Sequence, residues 1–205
     1  MDDKVAAVLD TYHELIREQE NNRELIPAAD RHTARDRRLL AVGPQTGRLI
    51  NILARSLTAP NILELGTSYG YSGIWLAEAA RASGGRVTTM ELQDHKSTYA
   101  REMAAKAGLA DYIDFKLGDA VQMIGGLPFS LDFVLLDLWK DLYVPSLEAF
   151  YPKLNSGAII VADNMLHPGG EEVKRYGKAV RAKPGLASVL LPVGSGLEIS
   201  RFEPD

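Results

Sequence analysis

The segment Glu64-Leu65-Gly66-Thr67-Ser68-Tyr69-Gly70-Tyr71-Ser72-Gly73 joins an apolar strand pattern to a helical one. A turn in that position can seat a ligand, because glycines let the backbone approach a bound group and the helix N-terminus offers free N–H donors. Gly66 and Gly70 would equally suffice for an ordinary tight turn. Gly66-Thr67-Ser68-Tyr69-Gly70 also fits the G-x-S-x-G nucleophile elbow, with Asp137 or Asp163 followed by His167 in a hydrolase chain order. Against a hydrolase, no glycine-rich oxyanion segment precedes the motif, and Asp163 and His167 are only four positions apart. Tyr112 and Lys116 have the Y-x-x-x-K spacing of short-chain dehydrogenases. They fall in a strand pattern, however, where residues i and i+4 lie ~13 Å apart instead of sharing a helix face. The glycine spacing also departs from G-x-G-x-x-G.

The third reading of the turn is S-adenosylmethionine binding. Glu91 follows the apolar strand pattern at 86–90, where a carboxylate can hold ribose hydroxyls. Asp119 and Ala120, just after the next strand, are placed to meet an adenine.

The elements that must position these residues follow from periodicity. Short Ile/Val/Leu-rich runs at 61–65, 86–90, 112–116, 131–136, 157–162, 186–191 and 196–202 alternate with helical patterns, which predicts an α/β fold with a seven-stranded, mostly parallel sheet. Only Pro192-Val193-Gly194-Ser195 separates the last two runs, too little for a parallel crossover, so they form an antiparallel hairpin. Five parallel strands closed by such a hairpin is the class I methyltransferase arrangement, distinct from the all-parallel dinucleotide fold. Residues 1–58 read as a helical cap on a 59–205 core: an amphipathic helix to about Glu18, a polar segment from Asn21 to Arg38, and a helix from Pro44 to Leu57 with Pro in its first turn. Arg31, Arg35, Arg37 and Arg38 could grip an anion, but a solvated charged face is the commoner meaning of such a cluster, and no role is assigned to them.

Composition narrows the classes. The 205 residues suit one domain with a full core. A net charge of -4 gives no electrostatic reason to bind nucleic acid, and no apolar run reaches a membrane span. The acidic, amphipathic N-terminus is unlike a signal peptide, so a cytoplasmic location is expected. The count of zero cysteines removes thiolate metal sites and Cys nucleophiles, leaving carboxylates, amides and His for hard-metal chemistry.

ELGTSYGYS, TTMEL, LLDLWKDLY, ADN and the closing GLE together resemble the metal-dependent O-methyltransferases, the group of catechol and caffeoyl-CoA O-methyltransferases. The likeness runs from about Leu40 to Phe202, and Trp139 in Asp137-Leu138-Trp139-Lys140-Asp141 brings it nearer the catechol branch. The resemblance implies a Rossmann-like class I methyltransferase fold, and S-adenosylmethionine held by Val42, Glu64, Gly66, Thr67, Ser72, Glu91, Leu92, Asp119, Ala120 and Asp137. It implies Mg²⁺, or another divalent ion such as Mn²⁺ or Ca²⁺, on Asp137, Asp163 and Asn164. Three protein oxygens, two substrate hydroxyls and one water then make the six ligands that Mg²⁺ prefers. Lys140 is implied as the general base, and Leu40, Trp139, Lys140, Asn164 and Glu198 as contacts for a small aromatic diol of catechol or hydroxycinnamate type. Metal-free methyl transfer to another acceptor, and a non-catalytic cofactor-binding module, remain as alternatives. The family includes monomers and homodimers. Leu138 stands where the catechol branch carries a His, and no aromatic gatekeeper is evident in 21–38.

Overall fold

The computed structural model describes residues 1–21 and 38–204. Within them the order is α1 (Asp3–Asn21), α2 (Pro44–Arg55), β1 (Asn61–Leu65), α3 (Tyr71–Ser83), β2 (Arg86–Glu91), α4 (Asp94–Lys106), β3 (Ile113–Leu117), α5 (Ala120–Ile124), β4 (Leu131–Leu136), α6 (Tyr143–Phe150), β5 (Leu154–Ala162), α7 (Glu171–Ala182), β6 (Leu186–Leu191) and β7 (Leu197–Phe202). The seven strands form one sheet in the order β3-β2-β1-β4-β5-β7-β6. β1 to β5 pair in parallel, while β7 is antiparallel to both of its neighbours. The predicted hairpin is therefore present, and its second strand is slotted between β5 and β6.

Helices cover both faces, which is why the central strands read as continuous apolar runs. Ile62, Phe133, Leu135, Ile159 and Val161 pack with α1 to α4, and Leu63, Leu65, Val134, Leu136 and Ile160 pack with α5 to α7. The cap is tied to the core through α1. Asp2 Oδ1 accepts from Val5 N at 3.0 Å and caps that helix, and the buried Tyr12 donates to the Tyr69 carbonyl at 2.6 Å. Among the described residues no helix is long and apolar enough to cross a membrane.

The structure differs from the expected boundaries in a few places. β5 begins at Leu154, not at 157, because Asn155-Ser156-Gly157 has the composition of a turn yet forms a bulge between the pairs Leu131–Leu154 and Phe133–Ile159. Tyr112 ends a short 3₁₀ turn ahead of β3, α2 stops at Arg55, and α1 continues to Asn21. The polar segment's Arg31, Arg35 and Arg37 lie outside the described residues.

Candidate active site

A cavity of about 830 Å³ opens at the C-terminal ends of the strands, beside the point where the sheet order turns from β1 to β4. Its lining includes Leu40, Gly66, Glu91, Leu92, Asp119, Ala120, Asp137, Trp139, Lys140 and Asn164, all singled out in the sequence. Val42, Glu64, Thr67, Ser72 and Asp163 are buried just behind that lining. Leu40, Ser68 and Asn164, all in the cavity wall, hold positive φ without being glycine. Such backbone costs of order 1–3 kcal/mol each and collects where function dictates geometry.

The turn after β1 is built from below. Gly66 has φ 98°, and a Cβ there would collide with the Asp137 carbonyl, so only glycine lets the β1 and β4 ends meet. Beneath it Thr89 Oγ1 donates to Glu64 Oε2 at 2.6 Å, and the Thr67 and Thr89 hydroxyls are 2.5 Å apart. Burial pushes the Glu64 carboxyl up to about 7, against hydrogen bonds from Ser72 and Thr89 that lower it. Its Oε1 is buried without a partner, a site that a cationic amino group would satisfy. Glu91, at the end of β2, accepts from Ser68 N at 2.8 Å and from Leu92 and Gln93 N at 3.0 Å, which fixes this carboxylate in the cavity wall. Asp119 caps α5 through Gln122 N and still borders the cavity.

Across the cavity, Leu136 pairs with Ala162, so Asp137 and Asp163 are the next residues at neighbouring strand ends. Asp163 is fully buried. Burial first, and the nearby Asp137 charge second, hold its carboxyl well above the usual range, although a hydrogen bond from Ser195 opposes this. Lys140 Nζ reaches Asp137 Oδ1 at 3.2 Å and donates to Tyr143 Oη at 2.8 Å. The Tyr143 hydroxyl lies 3.0 and 3.1 Å from the Leu136 and Asp163 carbonyls, to which it donates. Its lone pairs are thereby left for Lys140. The donor set is two carboxylates and an amide, all hard oxygens, and it suits a divalent ion of the Mg²⁺ type. Among the described residues no three His, Cys, Asp or Glu side chains cluster for a metal. Any ion here would rest on the mixed Asp137, Asp163 and Asn164 set.

Glu198 is a correction. It is fully buried and outside the cavity lining, with Arg181 Nε and Nη2 at 2.9 and 2.6 Å and Ser188 Oγ at 2.5 Å. The pleat decides this: Leu197 faces the α1–α4 side, so its neighbour Glu198 turns to the α7 side, away from any acceptor. Sequence reasoning missed Ser195, which binds both Asp163 and Asn164. It gave Tyr143 no role, although the D-x-x-K-D-x-Y pattern spells it out. Ser195 carried no signal, being some thirty positions from its partners. Ile16, Gln19 and Arg38 bring the cap into the cavity wall.

Sheet order, antiparallel β7 and a cleft at the switch point define a Rossmann-like methyltransferase. The chain belongs to the O-methyltransferase family, whose family model, described as "O-methyltransferase", matches residues 16–201. It is 36% identical over 134 residues to a catechol O-methyltransferase of Mycobacterium tuberculosis, a match spanning 64% of this chain and only 60% of that relative. It is 27% identical over 185 residues to caffeoyl-CoA O-methyltransferase 1 of Eucalyptus globulus, spanning 80% and 75% of the two chains. An O-methyltransferase from Bacillus cereus, solved in complex with SAH, superposes with a TM-score of 0.74 at 26% identity over 99% of this chain and 92% of that one.

Proposed function

We propose that this chain transfers the methyl group of S-adenosylmethionine to a hydroxyl of a small aromatic diol, catechol or hydroxycinnamate in type, with a divalent cation bound at Asp137, Asp163 and Asn164. The observation that carries the reading is the convergence of two carboxylates, an amide and a lysine at neighbouring strand ends, facing a cavity wall that contains Glu91. The relatives named for catechol and caffeoyl-CoA methylation support the acceptor class.

S-adenosylmethionine supplies a methyl group on a cationic sulfonium, and the divalent cation supplies positive charge that favours the ionised acceptor hydroxyl, whose unperturbed pKa is ~10. Glu91, in the cavity wall, orients the ribose, and Glu64, buried just behind that wall with Oε1 unpartnered, would meet the amino end of the cofactor. Lys140 takes the hydroxyl proton at Nζ. It acts as a base through its free amine lone pair. Tyr143 holds Nζ toward Asp137 as this happens. Trp139 and Leu40, both partly exposed at the rim, flank the acceptor ring and align its oxygen with the methyl carbon.

A second reading has one observation in its favour: Lys140 already neutralises Asp137 at 3.2 Å, so the pair could serve a metal-free transfer to another acceptor. The deciding experiment is methyl transfer to catechols, hydroxycinnamates and their CoA esters, with Mg²⁺ and again with excess chelator. Transfer that stops on chelation supports the metal reading, and transfer that persists overturns it in favour of the second.

A further inference from the structure

We infer that Ser195, in the β6–β7 turn, is a positioning residue that sets which oxygens of Asp163 and Asn164 face a bound cation, and thereby which size of cation the site accepts. The inference rests on the proposed metal reading and goes beyond it. Ser195 Oγ donates to Asp163 Oδ1 at 2.6 Å and accepts from Asn164 Nδ2 at 2.9 Å. The hydroxyl has one proton, and the carboxylate uses it. The lone pair facing Asn164 must therefore meet an N–H, because an amide oxygen there would set acceptor against acceptor. Asn164 is locked with its nitrogen toward the hairpin and its oxygen free for the cavity, and oxygen is the atom a hard cation binds. The same hydroxyl takes up one lone pair of Asp163 Oδ1, while Oδ2 has a longer 3.4 Å contact to Asn164 Nδ2. Asp163 would thus offer Oδ2 to a cation more readily than Oδ1, which favours one-oxygen ligation.

The turn cannot drift from this position. Leu166 and His167 N donate to the Ser195 carbonyl at 3.0 and 2.8 Å, and Met165 N donates to the Gly196 carbonyl at 3.0 Å. These bonds come directly after the Asp163–Asn164 step, where Asn164 sits at φ 58°. One-oxygen ligation suits Mg²⁺ and Mn²⁺, which keep near-octahedral shells, whereas Ca²⁺ accepts two-oxygen carboxylates and larger shells. The hydroxyl therefore biases the site toward the smaller ions.

The test measures metal binding without turnover. Mn²⁺ titrations followed by electron paramagnetic resonance, and Mg²⁺ and Ca²⁺ titrations by calorimetry, are run on wild type, Ser195→Thr, Ser195→Val, Ser195→Ala and Asp163→Ala. Thr and Val fill the same space, so a difference between them reads the hydroxyl alone. Thermal unfolding and S-adenosylmethionine binding serve as folding controls. The expected result is Mn²⁺ affinity ~10–100-fold weaker in the Val and Ala variants and near wild type in Thr, with the Mg²⁺ to Ca²⁺ preference moved toward Ca²⁺. Equal affinity in Thr and Val, with Asp163→Ala still losing the metal, overturns the role of Ser195 and leaves the proposed function standing. A wild-type chain that binds no Mn²⁺ overturns both.

Discussion

Two buried carboxylates sit almost side by side in the sheet and are treated in opposite ways. Glu198 on β7 is paired in register with Ala162, the residue before Asp163. Glu198 is answered by a two-point Arg181 contact and a serine hydroxyl, so its charge is met inside the fold. Asp163 receives one serine hydroxyl and has a second carboxylate nearby, and burial holds its carboxyl above the usual range. The first is a closed arrangement that ties β7 to α7 and to β6. The second is left electrostatically incomplete, and incompleteness at a cavity wall marks a place built for something else.

Breaking that contrast should give effects of different kinds. The largest is expected from Asp163→Ala, which should lower metal-dependent kcat/KM by ~10³-fold, several kcal/mol of lost transition-state charge stabilisation, with little change in folding stability. Comparable turnover in this variant would place Asp163 with Glu198 as a structural acid. Arg181→Ala should do the reverse. Leaving Glu198 buried without its counter-charge should cost about 3 kcal/mol in urea unfolding, while the folded fraction keeps its kcat. Lys140→Ala sharpens the comparison at the open site: kcat should fall ~10²-fold while S-adenosylmethionine affinity measured by calorimetry hardly moves. Equal losses in both would make Lys140 structural.

The smallest effect concerns Glu64. Its carboxyl is raised from 4.5 to about 7 in the fold, so the stability it contributes is full below 4.5 and disappears as pH rises through 7. Ligand-free protein should therefore lose stability over that window with a slope of at most ~1.4 kcal/mol per pH unit from this group, and Glu64→Gln should flatten it. An unchanged slope in the variant would move the effect to another acid.

The sheet was legible because all its strands carry apolar runs, and because the four-residue Pro192–Ser195 link excludes a parallel crossover. The candidate site was legible where its chemistry is local. Glu91 ends a strand, and Asp137, Lys140 and Tyr143 lie within one short motif. Glu198 was misplaced because motif position carries no information on pleat, and one residue of alternation decides which face a side chain takes. Ser195 was invisible for the opposite reason: its meaning lies in contacts across the fold, and nothing in its neighbours announces them. The start of β5 was hidden because a bulge draws on the same small polar residues as a turn.

The position of β7 has a consequence in time. Among the described residues every other strand is synthesised before residues 197–202, yet this one lies inside the sheet, between β5 and β6. While the chain emerges from the ribosome, β5 has an open edge and the Asp163–Asn164 step lacks the turn that holds it. The strands that lead to Asp137 and Asp163 are complete about 30 residues before Ser195 can reach that corner. Assembly of the candidate site therefore waits for residue 195, and a ribosome stalled before it would hold a sheet with an adhesive edge and an unfinished site.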